Sequence, residues 1–144
     1  MARGKGGGRM LVSSARRYYV EEDYNCAESV LLAANEVYGL GIDPQSCVRL
    51  LGAFGGGMGC GGLCGALAGS LAALGAGMMA GRAHTTEGLK ERCADFVEGF
   101  EAALASRECR EIKPRCFVED GERCFDTVRI ACELLEMELD ALRA

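Results

Sequence analysis

The chain has 144 residues, 49% of them hydrophobic, and a net charge of −5 at neutral pH. This length fits one domain with a substantial core. The acidic balance argues against nucleic acid as a partner, because phosphate contacts need clustered Lys and Arg, and the basic residues here are scattered.

The amino-terminal segment predicts no secretory signal. Residues 1–9 are basic and glycine-rich, and only Met10, Leu11 and Val12 follow before the chain becomes polar, which is too short for the apolar core of a signal peptide. We therefore expect a disordered leader or cloning remnant over residues 1–12, a single helical domain over residues 13–144, and a cytoplasmic location.

Successive amphipathic segments predict helices in chain order. A short helical start covers residues 16–22, and Asn25 is placed to cap a helix over 26–38. Asp43 and Pro44 open a third helix in the usual order of cap and proline. Further helices are expected over 63–80 and 89–105. Residues 106–121 look irregular and turn-rich, after which Asp120 is expected to cap a last helix.

The middle of the chain combines an unusual loop with an unusual helix. Residues 55–62, termed the glycine loop below, hold six glycines, and no charged residue occurs from Leu50 to Gly81. The helical part is mostly Ala and Gly, so it suits a buried central helix rather than a membrane span. No segment alternates as a strand. We therefore predict an all-α, compact single-domain bundle of about five to six helices, and a homodimer that helps to cover the central helix.

Nine cysteines make thiol chemistry the main functional question. Without an export signal, dense cysteine indicates metal binding or redox catalysis more often than a disulfide scaffold, and an odd number leaves one thiol unpaired. The absence of any CxxC pair from the sequence removes thioredoxin-type centres, c-type haem attachment and ordinary zinc ribbons.

Three cysteines fall near predicted helix starts: Cys26 after Asn25, Cys64 after the glycine loop, and Cys124 early in the last helix. Backbone N–H groups and the positive end of the helix dipole stabilise a thiolate at such a position. We therefore expect Cys64 to have a lowered pKa and to be the most reactive thiol. Cys109, in the irregular segment, could approach the other three, so we expect these four thiols to cluster.

Sequence strings shared with a known family extend through most of the domain: residues 25–30 (NCAESV), 54–59 (FGGGMG), 64–69 (CGALAG), 109–111 (CRE) and Cys124. In these strings the chain resembles the redox-active protein family named for its cysteine pattern, C_GCAxxG_C_C. The resemblance implies a small helical protein in which Cys26, Cys64, Cys109 and Cys124 are the redox or metal-binding set. The chain departs from the pattern in having further cysteines, namely Cys47, Cys60, Cys93, Cys116 and Cys132. Of these, Cys60 is an alternative ligand or partner.

The glycine loop contains a match to a dinucleotide fingerprint, but the strand that such a site requires is not predicted before it. Consecutive N–H groups ahead of a helix can instead cradle an anion. Gly55, Gly56, Gly57 and Gly59 are therefore our candidates for cofactor or anion binding.

Three functions remain open from the sequence. The first is thiol–disulfide exchange or electron transfer, with Cys64 as the attacking thiolate and Cys26, Cys109 or Cys124 as its partner. The second is a zinc or iron–sulfur site with the same four ligands. The third is a non-catalytic helical interaction subunit. Expected partners are a redox protein or a small thiol or anion.

Overall fold

The computed structural model describes the backbone of residues 3–144 and the side chains of residues 10–144. The all-α prediction is confirmed. The described part contains seven α-helices: α1 (Arg3–Arg16), α2 (Cys26–Tyr38), α3 (Pro44–Leu51), α4 (Gly65–Met78), α5 (Leu89–Leu104), α6 (Cys109–Cys116) and α7 (Phe125–Arg143).

Helix α1 differs from the leader predicted over residues 1–12, because it spans Arg3–Arg16 and continues as a wider helical turn over Arg17–Glu21. Leu11 and Ala15 are fully buried in the core. The apolar side chain of Leu11 therefore packs with the domain although residues 1–9 before it are basic and glycine-rich.

The predicted starts of α2 and α3 are confirmed. Asn25 and Glu28 form a reciprocal capping box, in which the Asn25 side chain accepts from the Glu28 N–H and the Glu28 carboxylate accepts from the Asn25 N–H. Asp43 caps α3 by accepting from the Ser46 N–H, and Pro44 is the first residue of that helix.

Helix α4 is the buried central helix that the sequence predicts. It packs against α2, α5 and α7 of its own chain, and a Cβ atom on Gly69 would lie 2.5 Å from the carbonyl oxygen of Ala27. The absence of a side chain at Gly69 thus lets α2 and α4 meet backbone to backbone. Helix α4 is thus covered by other helices of its own chain. This weakens the reason for expecting a homodimer, which stays a prediction. None of the described helices is long and apolar enough to cross a membrane.

The segment before α7 differs from the prediction in two ways. Residues expected to form a turn-rich connection include α6, a helix of 8 residues that contains Pro114. Asp120 does not cap α7, since Val118 and Arg123 pair in an antiparallel bridge that makes residues 119–122 a hairpin turn. The helix begins at Phe125, and Cys124 occupies its N-cap position.

Candidate functional site

Four helices begin at one cavity, and each has a cysteine as its first residue or its N-cap. Cys26 and Cys109 are the first residues of α2 and α6, while Cys64 and Cys124 occupy the N-cap positions of α4 and α7. All four line a cavity of about 170 Å³. Cys109 therefore shares the helix-start position of the other three, although the sequence placed it in an irregular connection.

Asn25 fixes the beginning of α2 relative to the glycine loop. Besides capping the helix, its side-chain amide donates to the carbonyl of Gly52 at 3.1 Å. A Cβ atom on Gly55 would lie 2.8 Å from the Asn25 amide nitrogen, so the loop backbone lies directly on this side chain. The position of Cys26 in the cavity depends on this contact, because Cys26 is the next residue.

The segments that carry Cys64 and Cys109 are joined by a two-way backbone contact. Leu63 and Glu108 form an isolated antiparallel bridge. The Cys64 N–H donates to the Arg107 carbonyl at 2.8 Å, and the Cys109 N–H donates to the Gly62 carbonyl at 2.6 Å. Each bond satisfies an N–H group at a helix start.

Tyr19 supports the beginning of α7. Its hydroxyl accepts from the backbone N–H of Cys124 at 3.1 Å. The Arg123 guanidinium stacks 4.0 Å from the Tyr19 ring centroid and donates to the Tyr19 carbonyl. Burial raises the pKa of Tyr19 to about 12, so the hydroxyl stays protonated at neutral pH.

The glycine loop contains several left-handed residues, including Gly56, Gly57 and Gly59 with φ of 63°, 64° and 75°. A Cβ atom on Gly57 would lie 2.6 Å from the Cβ of Cys109, whereas one on Gly59 would meet nothing within 4 Å. Of the four glycines proposed for cofactor or anion binding, only Gly56 lines the cavity, while Gly55 and Gly57 pack against the residues that shape it. Gly59 faces open space.

Burial makes the thiol of Cys64 a weak acid. It raises the pKa of Cys64 to about 12, and the charges of ionised Cys26 and Cys109 add to this, while the backbone amides of Leu67 and Ala66 oppose it. The lowered pKa expected for Cys64 is therefore wrong, because removal from water outweighs the helix-start amides.

Burial also raises the pKa values of Cys26 and of Cys124, the latter to about 11. For Cys26 the strongest opposing contribution is a hydrogen bond from the Gly56 backbone. The three thiols are therefore protonated at neutral pH in the reduced protein.

The other cysteines divide into three groups. Cys47 and Cys132 are buried in the core, and Cys93 is half-buried. Cys60 is exposed, donates to the Gly57 carbonyl at 3.5 Å, and does not line the cavity. Cys116, the last residue of α6, is the residue that sequence reasoning passed over: among charged groups its thiolate has the largest effect in raising the pKa of Cys124.

A Cys₄ donor set has the chemistry of zinc and iron–sulfur sites. Among the described residues, however, no three His, Cys, Asp or Glu side chains are arranged to hold one metal ion. The hydroxyl of Thr127, which lines the cavity, is buried and has no hydrogen-bond partner. A buried polar atom of this kind offers a hydrogen bond to whatever enters the cavity.

The fold and the site define an all-α protein with four thiols at helix starts around one small cavity. A family model described as "Putative redox-active protein (C_GCAxxG_C_C)" matches residues 24–137. The chain belongs to this family, which confirms the resemblance and supports a redox role in general terms. Neither the comparison with curated proteins nor that with solved structures found a match.

Proposed function

We propose that the protein transfers electron pairs by forming and breaking a disulfide among the four cysteines of the cavity. The observation that supports this proposal is the convergence of four helix starts, each with a free cysteine, on one small cavity. Oxidation of two of these thiols forms one S–S bond and releases two electrons and two protons. The electrons pass to the disulfide of a partner molecule by exchange.

We assign the internal disulfide to Cys26 and Cys64. A Cβ atom on Gly65, the residue after Cys64, would lie 2.4 Å from the Sγ of Cys26. Among charged groups, ionised Cys26 also has the largest effect on the pKa of Cys64. The Sγ of Cys26 thus lies beside the residue that follows Cys64, which supports this pairing.

The raised thiol pKa values bear on the direction of electron flow. A dithiol becomes a strong oxidant when its reduced form is stabilised as a thiolate, as in the bacterial oxidant DsbA. Here burial disfavours the thiolates of Cys26 and Cys64. We therefore assign the reduced protein the role of electron donor.

An equilibrium titration in buffers of defined thiol and disulfide ratio tests this function. The wild-type protein should lose thiols in pairs at one two-electron potential. Cys64→Ser should shift that transition to another potential, because the Cys26–Cys64 disulfide can no longer form. The matched variant Cys132→Ser, which changes a core cysteine outside the cavity, should retain the wild-type potential. A wild-type protein that keeps all its thiols reduced throughout the titration would refute the proposal.

Metal binding is the second candidate, because the four cavity cysteines form a Cys₄ donor set. Zinc or an iron–sulfur cluster would be held by Cys26, Cys64, Cys109 and Cys124, whose side chains would have to move, since no three of them are arranged to hold one ion. Cys60, the alternative ligand expected from the sequence, is exposed and lies outside the cavity. Elemental analysis and visible absorbance of anaerobically purified protein test it. A stoichiometric metal that is lost in Cys64→Ser would support this role, and a metal-free protein with the two-electron transition would exclude it.

A further inference from the structure

A second concave surface, termed the outer groove, adjoins the cavity. It has a volume of about 560 Å³ and is lined by Gly56 and Gly61 of the glycine loop and by Cys109, Arg110, Lys113, Pro114 and Phe117 from α6 and its end. Cys109 lines both the cavity and the groove. It is therefore the cavity cysteine that a molecule in the groove can reach, since Cys64 is buried.

The outer groove is cationic although the protein is acidic overall. Arg110 and Lys113 line it, and no acidic side chain among those that the structure describes does so, in a chain of net charge −5. The same holds for the adjoining cavity, where the charged lining residues are Lys113 and Arg123. A negatively charged molecule would therefore be favoured in the groove over a neutral or positive one.

Both groove cations are only lightly engaged. The Nε of Arg110 donates to the Gly61 carbonyl at 2.9 Å, which holds the side chain along the loop, and its nearest carboxylate, that of Glu108, is 3.9 Å away. The ammonium group of Lys113 lies 5.1 Å from the centroid of the Phe117 ring. Both side chains therefore retain N–H groups that can bind a carboxylate beside Cys109.

We propose that the substrate of the thiol centre is a small disulfide that carries carboxylate groups, bound in the outer groove by Arg110 and Lys113 and attacked by Cys109. This inference rests on the proposed function and specifies its substrate class. Phe117, 40% exposed at the rim, gives the aliphatic part of such a molecule an apolar surface.

The reaction balances without another reagent. The Cys109 thiolate attacks one sulfur of the substrate, forming a mixed disulfide and releasing the other half as a thiolate. Cys26 then loses its proton and attacks the Cys109 sulfur, which forms a Cys26–Cys109 disulfide and releases the second half. Cys64 in turn attacks the Cys26 sulfur, which forms the Cys26–Cys64 disulfide and returns Cys109 to a thiol that takes up the proton of Cys64. The substrate gains two electrons and two protons, and the protein changes from dithiol to disulfide.

The test compares three disulfide probes with the reduced full chain at low salt: oxidised glutathione (anionic), bis(2-hydroxyethyl) disulfide (neutral) and cystamine (cationic). The wild-type rate should be greatest for oxidised glutathione and at least about ten-fold lower for cystamine. Arg110→Glu should reduce this ratio by about five-fold, since an exposed ion pair contributes at most about one kcal/mol. Lys113→Gln should reduce the ratio by a similar factor. A change in the intrinsic reactivity of the thiol affects the rates of all probes alike, so it does not alter the ratio.

Arg115→Ala is the matched control, because Arg115 lies on the same helix, does not line the groove, and donates to the Glu111 carbonyl instead. It should leave the ratio unchanged. Equal wild-type rates for the three probes would overturn the substrate assignment while leaving thiol exchange intact. A charge preference that persists in both Arg110→Glu and Lys113→Gln would show that the outer groove is not the substrate site. Failure of all three probes would instead refute the proposed function itself.

Discussion

The Sγ of Cys26 lies against the backbone of Gly65, so closely that a Cβ atom on Gly65 would be 2.4 Å away. The first residue of α2 and the first residue of α4 thus meet at the cavity. Gly65 is the second residue of the CGAxxG string. A side chain at this position would collide with Cys26, which explains why a glycine stands there.

Replacing Gly65 with Ala should displace Cys26. The added methyl group would also lie 2.9 Å from the Phe54 carbonyl oxygen, so backbone as well as side chain must shift. We expect a loss of about 1–3 kcal/mol in the free energy of unfolding, measured by urea denaturation.

Gly75→Ala on the same helix is the control for this substitution. A Cβ atom there would meet nothing within 4 Å, so the better helix propensity of Ala should leave stability unchanged or raise it by up to about 1 kcal/mol. Equal effects of the two substitutions would contradict the close contact between Gly65 and Cys26.

Alkylation of the reduced protein should follow exposure rather than helix-start position. Cys60 is exposed and should react first, whereas Cys64 is buried with a pKa of about 12 and should react slowly near neutral pH, as should Cys132. Brief labelling followed by peptide mass spectrometry measures the order. Labelling of Cys64 ahead of Cys60 would show that the helix-start amides prevail over burial after all.

Stability should decrease at alkaline pH. The folded-state pKa values of Cys64 and Cys132 are raised from 9.0 to about 12, so the folded protein holds these protons more tightly than the unfolded chain. Their contribution is complete below pH 9 and is lost as pH rises toward 12. The expected slope is up to about 1.4 kcal/mol per pH unit for each group.

Denaturant titrations between pH 7 and 11 measure this slope. Cys132→Ala removes one of the two groups and should make the dependence shallower, although the lost sulfur lowers stability at every pH. An unfolding free energy that stays constant from pH 9 to pH 11 would argue against buried, protonated thiols.

Two substitutions in the glycine loop should differ in effect although both positions have a positive φ. Gly57→Ala adds strain and places a methyl group 2.6 Å from the Cβ of Cys109 and 2.7 Å from the backbone of Gly62, so we expect a loss of more than about 2 kcal/mol. Gly59→Ala meets no neighbour and should lose about 1–2 kcal/mol from strain alone.

The reaction of Cys109 with a neutral disulfide gives a second comparison for these variants. Gly57→Ala should change its rate, and Gly59→Ala should leave it near that of the wild type. If both variants match the wild type in stability and rate, the loop does not shape the thiol site.

Local patterns in the sequence were sufficient for the parts of the fold that local interactions determine. The caps Asn25 and Asp43 mark the starts of α2 and α3, because capping depends on residues within one turn. Helix α6 was missed since Pro114 normally interrupts a helix. The start of α7 was placed at Asp120 because the hairpin between Val118 and Arg123 depends on contacts between separate backbone segments.

The candidate site was predictable in its residues but not in its electrostatics. Loop and cap signals placed Cys26, Cys64 and Cys124 near helix starts and Cys109 within reach of them, and the family resemblance named the same four cysteines. The pKa of Cys64 depends on how far the assembled fold removes it from water, and a single sequence does not contain that quantity. The outer groove could not be predicted for the same reason, because it is the folded structure that places its cations beside Cys109.

Direct mapping of disulfides tests the central claim. Reduced protein is oxidised with bis(2-hydroxyethyl) disulfide, blocked in acid, digested, and analysed by mass spectrometry with and without reduction. Our account predicts a Cys26–Cys64 linkage, with any second linkage between Cys109 and Cys124, while Cys47, Cys93 and Cys132 remain free thiols. Oxidised protein in which Cys26 and Cys64 both remain free, or are linked only to cysteines outside the cavity, would contradict it.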